Sequence, residues 1–475
     1  MNTAQKITYN TLIQIIGRLI FLIFSFVSIK ILAKYLGATG NGELTTIITF
    51  TGFFTLIADL GLSSIATREI SQKPEMMQKI IQNALGLRII TAIITAIFCV
   101  AVGFFMPYSD AVKIGLITAA AALLITFVGN IFDVVFQTKL KMQYTVASDI
   151  FGRLTSLLIV FLGYKYDLGF QFIVLNIITA ALFSTLTKFY YARRFVKTRI
   201  EFDFSCWRWL LKLALPLGLV FIINNLYFKI DTLILSLLKD SREVGLYGVS
   251  YKVLETTLFA GAFLTSAVVP VLSRDIKENL DRASRLVKNA LESLIALAMP
   301  IVCYILVAPK EIIRFLSTEE FTVASRALQV LGVAIAFIYI NILLGQVLVA
   351  ADRRKALVVS SVSVFSFNVI LNLVLIPDLS YLGAAITTLV SEVIILIINL
   401  YLGSRIIKFR LNWLRITKIF LSAAAMSIVF WLTKNLSWHI AFVGLSGFAI
   451  YILANITFKT ADRELILSLI PRKDG

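Results

Sequence analysis

Thr11–Ala33 reads TLIQIIGRLIFLIFSFVSIKILA, a run in which Arg18 and Lys30 are the charged residues. A bilayer core of ~30 Å takes ~20 apolar residues per helical crossing, so this stretch alone points to a membrane span. It lacks the ten-residue inside–outside alternation of a barrel strand, and in lipid the remaining way to satisfy every backbone group is a helix. Working outward, about fourteen such stretches cover the chain, near 11–33, 44–66, 80–106, 112–137, 146–164, 168–190, 210–237, 244–272, 286–308, 326–350, 355–377, 381–403, 414–433 and 439–458. The expected fold is an all-α integral membrane protein with about fourteen transmembrane helices.

Composition agrees. Over 475 residues the chain is 59% hydrophobic with mean hydropathy +0.89, which excludes a water-soluble fold. A formal charge of +18 would suggest nucleic acid in a soluble protein. Here about thirty Lys and Arg fall in loops on the N-terminal side, about nine in the opposite loops and about six inside spans. That rhythm predicts a multi-pass protein of the cytoplasmic (inner) membrane with both termini cytoplasmic. Anionic headgroups and topology account for the charge, and no nucleic-acid partner is expected. Thr11–Ala33 is long enough to remain as a span rather than act as a cleaved signal. Cys99, Cys206 and Cys303 are isolated, and His439 stands alone at a membrane edge, so neither a metal site nor a cofactor is expected.

The most basic loop, Lys188–Lys212, follows the sixth span and reads as a linker. It divides the chain into an N-terminal lobe (1–197), a C-terminal lobe (198–405) and a last pair of spans with a tail (406–475). A short repeat supports the division. Leu36-Gly37-Ala38-Thr39-Gly40-Asn41-Gly42 precedes a span that ends at Arg68-Glu69-Ile70-Ser71. Arg242-Glu243-Val244-Gly245-Leu246-Tyr247-Gly248 precedes one that ends at Pro270-Val271-Leu272-Ser273-Arg274. Both copies run in the same direction through the membrane, as in a parallel repeat.

Ionisable groups inside spans carry an insertion penalty of ~2.5–3.5 kcal/mol each and by default suggest function. At ~1.5 Å per residue, Arg18, Arg88 and Arg153 share one layer ~12 Å deep, approached by Asp59, Asp133 and Asp149. Lys229, Asp231, Lys252 and Glu255 lie in the outer third, and Glu392 falls near the midplane. Arg18 with Asp59, or Arg153 with Asp133, would make structural pairs; Lys30 and Glu292 would snorkel to the headgroups. Lys229 and Asp231 are two apart and cannot pair, whereas Lys252 and Glu255 are three apart and can. The alternative to structural pairing is a cationic cavity whose Arg forks suit phosphate oxygens. Asn224, Asn225, Asn341, Gln346, Asn368 and Asn372, with Tyr227 and Tyr339, either face sugars in that cavity or bond between helices. Pro216 and Pro300 mark either hinges or plain kinks.

Several motifs resemble the polysaccharide flippases. They are Leu36-Gly37 through Gly40-Asn41-Gly42, Asp59-Leu60-Gly61-Leu62, Arg68-Glu69-Ile70-Ser71, and Asp231 with Val244-Gly245-Leu246-Tyr247. Further along come Asn372-Leu373-Val374-Leu375-Ile376-Pro377 and Gly383-Ala384-Ala385-Ile386-Thr387-Thr388 with Ser391-Glu392. The resemblance covers about residues 7–405 and implies the multidrug/oligosaccharidyl-lipid/polysaccharide exporter superfamily. It implies two six-helix bundles in a V-shaped, pseudo-symmetric arrangement around a cavity, working by alternating access. Many polysaccharide flippases have twelve spans and the related lipid II flippases fourteen. Spans thirteen and fourteen therefore leave both subfamilies open, and by analogy with the latter they would guide a lipid tail.

The resulting expectation is a flippase for a polyprenyl-(pyro)phosphate-linked oligosaccharide in cell-surface polysaccharide biosynthesis. Its binding residues would be Arg18, Arg88, Arg153, Lys229, Lys252, Asn224, Asn225, Asn341 and Asn368. Asp59, Asp231, Glu255 and Glu392 are the candidates for ion coupling. Membrane lipids and glycan assembly enzymes are the expected partners, and one chain holds both lobes, so a monomer suffices. The alternative on the same fold is a multidrug or cation antiporter, whose site would be acid-rich. A glycan polymerase or transferase, the remote alternative, would need catalytic groups beside a sizeable outer loop; the longest here, Pro309–Ser325, has no His. The chain is therefore not expected to be an enzyme.

Overall fold

The computed structural model of the chain describes residues 3–59, 61–433 and 440–457. His439, part of the last predicted span and the tail beyond it lie outside those residues, as does the side chain of Asn224. Every regular element among the described residues is helical, as the need to satisfy the backbone inside lipid requires. Among the described residues, ten helices are long and apolar enough to cross a membrane. Two compact units emerge, Met1–Gly245 and Leu246–Gly475.

In the first unit, α1 (Thr3–Asp59) carries the first predicted span and most of the second, 44–66, as two arms broken at Gly37 with φ 61° and ψ −169°; the second span ends early, and its last residues belong to the next helix. Glycine is suited to that left-handed φ. Asn41 repairs the break by donating from Nδ2 to the carbonyls of Leu32 (3.0 Å) and Gly37 (2.8 Å). Beyond it, a Cβ on Gly42 would lie 1.5 Å from the Ser241 carbonyl oxygen, and one on Gly245 would lie 2.0 Å from that of Ala38. The two glycine segments thus pack backbone against backbone.

Next come α2 (Leu62–Gln72), α3 (Met77–Phe105), α4 (Asp110–Thr138), α5 (Gln143–Tyr166) and α6 (Gly169–Ala192). The seventh predicted span is not one helix. It divides at Phe228–Lys229 into α7 (Phe204–Tyr227) and α8 (Ile230–Leu238), both in the first unit, where α9 (Ser241–Glu278) also begins. Asp203 caps α7, accepting from the backbone N–H of Ser205 (3.0 Å) and Cys206 (3.2 Å), and lies 3.0 Å from Lys79 Nζ of α3. These partners, with the Ser205 hydroxyl that donates to it at 2.5 Å, hold its carboxyl well below the usual carboxylate range, the Ser205 hydroxyl most and Lys79 next. One apolar core joins α2, α3, α4 and α7 around Ile80, Phe132, Phe136 and Trp207. A second joins α1, α3 and α4 around Ile47, Phe50, Cys99 and Phe127.

The second unit contains the rest of α9, then α10 (Leu280–Val307), α11 (Pro309–Leu316), α12 (Ser325–Ala350), α13 (Arg354–Ser404), α14 (Trp413–Thr433) and α15 (Ile440–Thr457). The predicted outer loop is therefore ordered as α11 followed by a 3₁₀ turn over Glu319–Ala324. Like α1, α13 has two arms, broken at Ser380 (φ 51°, ψ −134°) just after Pro377. Proline supplies no N–H and crowds the preceding turn, which ends the first arm.

α14 and α15 pack on α10 through Met426, Phe430, Val443 and Tyr451 against Met299 and Tyr304, and the Tyr451 hydroxyl donates to Ala296 O at 2.7 Å. Glu292 corrects the snorkelling expectation. It is 1% exposed, accepts from the Asn412 backbone N–H at 2.8 Å and pairs with Arg415 Nη1 of α14 at 2.7 Å.

Candidate functional site

Five charges of the first unit sort into two networks. Arg88 is enclosed by protein. Its Nη2 donates to Asp59 Oδ1 and Ser63 Oγ, both at 2.5 Å, and its Nη1 to the Phe127 carbonyl at 2.8 Å. Its guanidinium carbon lies 5.7 Å from the centre of the Phe127 ring. One side chain thus ties the end of α1 to α2, α3 and α4. In the second network Lys188 of α6 is buried, with Nζ 2.8 Å from Asp133 Oδ2 of α4 and 3.0 Å from Asp149 Oδ1 of α5. Thr145 donates to Asp133 (2.9 Å) and Ser184 to Asp149 (3.0 Å). The pairings expected from depth are thereby corrected: Asp59 takes Arg88 rather than Arg18, and Asp133 takes Lys188 rather than Arg153.

Arg18 and Arg153 come together elsewhere. Both line a cavity of about 430 Å³ between α1, α5 and α6, with Gln14, Phe21, Asp149 and Ser184. The guanidinium carbons lie 5.5 Å (Arg18) and 4.4 Å (Arg153) from the centre of the Phe21 ring, cation–π distances. Arg153 Nη2 also reaches Ser25 Oγ at 3.4 Å. Of the charged side chains that line it, two are cations, Arg18 and Arg153, and one is a carboxylate, Asp149, which Lys188 already pairs. The wall favours an anion, and the ring and hydroxyl add a surface for a neutral polar group.

α8 lies against the second arm of α1. A Cβ on Gly52 would lie 3.0 Å from Lys229 Nζ, and Tyr108 OH meets Ser236 Oγ at 3.0 Å. Asp231, in the first turn of α8, is 2% exposed. Asn225 of α7 is exposed.

The second unit has its own polar centre. Asn341 of α12 donates from Nδ2 to Glu392 Oε2 (2.8 Å) and to the Glu392 carbonyl (2.9 Å) on the second arm of α13. Asn368 donates to Ser391 Oγ at 3.1 Å, and Asn372 to Asn368 Oδ1 at 2.9 Å. All five side chains are buried, so for these amides the interhelical alternative describes the geometry. Tyr339 donates to the Thr257 carbonyl at 2.5 Å. On α9, Lys252 pairs with Glu255 at 2.6 Å, as their spacing predicted, on a wetter surface.

The first 276 residues decide the kinship. A model of the polysaccharide biosynthesis protein family matches residues 3–276, more than half of the chain. The chain belongs to the polysaccharide biosynthesis protein family. A second family model, MatE, matches residues 216–374 of this polysaccharide biosynthesis protein. A curated relative from Haloferax volcanii, the probable low-salt glycan biosynthesis flippase Agl15, is 24% identical over 255 residues, 52% of this chain and 54% of the relative. The chain thus spans about half the length of the curated relative it matches. Among solved structures, the lipid II flippase MurJ in an inward closed conformation superposes with a TM-score of 0.75 at 18% identity, covering 95% of this chain and 98% of that one. An inward-facing multidrug resistance MATE family transporter of the MOP superfamily gives 0.62 at 15% identity, covering 80% and 93%. At these identities the likeness establishes the fold: this member of the polysaccharide biosynthesis family is a multi-pass membrane protein with the helical fold of those flippase and transporter structures.

Sequence reasoning missed Phe21, Ser63, Lys188 and Ser184. Phe21 had a signal, being three residues after Arg18 and so on the same helix face. Lys188 read as the start of a basic linker because the span boundary was drawn close to it.

Proposed function

We propose that this chain is a flippase that moves a polyprenyl-(pyro)phosphate-linked oligosaccharide from the cytoplasmic to the outer leaflet by alternating access. The observation that carries the reading is the convergence of Arg18 and Arg153 on Phe21 around the cavity of the first unit. Guanidinium forks match phosphate oxygens bidentately, and an aromatic face suits the apolar face of a sugar ring. The named flippases among the relatives support the same direction.

Within this reading the candidate residues take different roles. Arg18 and Arg153 bind the anionic head. Arg88, held by Asp59 and Ser63, positions α1–α4, and Asp59 leaves the coupling set. Lys252 and Glu255 neutralise each other. Lys229, Asn224 and Asn225 act from the α7–α8 segment, while Asn341 and Asn368 shape the polar centre of the second unit. The working parts are the lobes 1–197 and 198–405 with the helices of 406–475, in a cytoplasmic membrane with both termini cytoplasmic. One chain suffices, and glycan assembly enzymes supply and consume the cargo.

A second reading, a cation-coupled antiporter, is favoured by one observation. Glu392 is a buried acid held by an amide, which suits reversible uptake of a proton or sodium; Asp231 is its companion candidate. Mass spectrometry of polyprenyl-linked lipids in depleted cells, beside drug susceptibility, separates the two. Accumulation of one glycolipid on the cytoplasmic leaflet supports the flippase and gives the mass of its cargo. Unchanged glycolipids with new sensitivity to cationic compounds support the antiporter.

A further inference from the structure

The second unit carries a groove that the proposed transport reaction does not use. It lies between the start of the first arm of α13 and the end of its second arm, holds about 560 Å³, and is lined by Lys355, Ser360, Ser363, Ile397, Tyr401 and Leu402 among others. Its walls are open and apolar: Val359 is 66% exposed and Ile397 62%. Apolar walls alone would merely face lipid tails. The mouth is different. Lys355 lines it, Arg353 is exposed two residues earlier, and the Arg405 guanidinium carbon sits 4.4 Å from the centre of the Tyr401 ring while its Nη2 donates to the Tyr401 hydroxyl. Stacking fixes the plane of the guanidinium and leaves its other N–H groups for an anion.

We propose that this groove binds an anionic glycerophospholipid of the leaflet adjoining the basic loops. One acyl chain lies along Val359 and Ile397, and the phosphate rests between Lys355 and Arg405. Three features select this occupant. Basic pockets between transmembrane helices capture anionic headgroups, each nearby cation adding to the attraction. Ser360 and Ser363 lie five and eight residues beyond Lys355, so about 7.5 and 12 Å deeper along the helix. Acyl-ester carbonyls occur beneath the phosphate of a glycerophospholipid and accept hydrogen bonds there, whereas a polyprenyl phosphate has no carbonyl for these hydroxyls to meet. The open walls also admit a chain from the side, as a lipid requires.

The test is native mass spectrometry of the full-length protein released from detergent, titrated separately with dioleoyl-phosphatidylglycerol, dioleoyl-phosphatidylcholine and undecaprenyl phosphate. Phosphatidylglycerol adducts are expected at a concentration on the order of tenfold lower than phosphatidylcholine adducts. K355Q/R405Q removes that preference. A356F, which fills the groove but keeps both cations, removes the tight phosphatidylglycerol adduct itself. Equal retention of the two phospholipids by the wild-type chain overturns the proposal, whatever the variants do. So does a preference that survives both variants, or tight binding of undecaprenyl phosphate without phosphatidylglycerol, which would make the groove a cargo site.

Discussion

Lys188 holds two carboxylates from two other helices, and its loss would leave Asp133 and Asp149 facing each other with no cation between them. Breaking a buried pair in this way costs about 3–5 kcal/mol. K188A is therefore expected to lower the thermal midpoint sharply in fluorescence-detected size exclusion, and K188A/D133N/D149N to recover most of the loss. Arg88 and the Arg18–Arg153 pair separate structure from transport. R88A strips Asp59 and Ser63 of their donor and should destabilise the chain by on the order of 3 kcal/mol. R18A/R153A should melt within about 1 kcal/mol of wild type, yet lose glycolipid flipping in reconstituted vesicles; wild-type flipping by that variant would sink the binding role. Depth counting put the three arginines in one layer. It could not say which of them had an acid within reach, because azimuth around a span depends on neighbours the sequence does not order.

At the scale of helices, apolar length was legible and breaks were less so. Gly37 sits in a glycine-rich run and advertises its turn, and Pro377 announces the end of an arm near Ser380. The division at Phe228–Lys229 has no Gly or Pro to mark it; packing of α8 on α1, not local propensity, places it. The seam of Gly42 and Gly245 gives a sharp test. An added methyl at either would meet backbone oxygen, which cannot rotate away, so G42A and G245A should each cost about 1–3 kcal/mol. Gly345 and Gly403 have nothing within 4 Å of an added Cβ, and alanine there should be close to neutral. The α7 cap gives a pH test. Because folding depresses the Asp203 pKa, its contribution is present above the unfolded value of about 3.9 and is lost as pH falls toward the folded one. Amide exchange over 203–210 should accelerate on acidification below about pH 4, and D203N should flatten that response.

For the molecule as a whole, the alternation of basic loops makes the prediction. In a chain with Cys99, Cys206 and Cys303 changed to serine, a cysteine at Arg199 should label only from the cytoplasmic side and one at Thr318 only from outside. Labelling of both from one side would overturn the topology. The membrane class was legible because lipid leaves so few backbone solutions, whereas the anchoring of the last two helices was hidden in a single acid. Glu292 looked like a residue near a span end, and its burial depends on Arg415, more than a hundred residues away. The Gly42–Gly245 seam also bears on how the chain could be divided. The two glycine motifs read in the sequence as copies of one another rest on each other, as a surface patch does on its counterpart across the two-fold axis of a homodimer. A contact of this kind needs no covalent link between the two motifs, only their mutual fit.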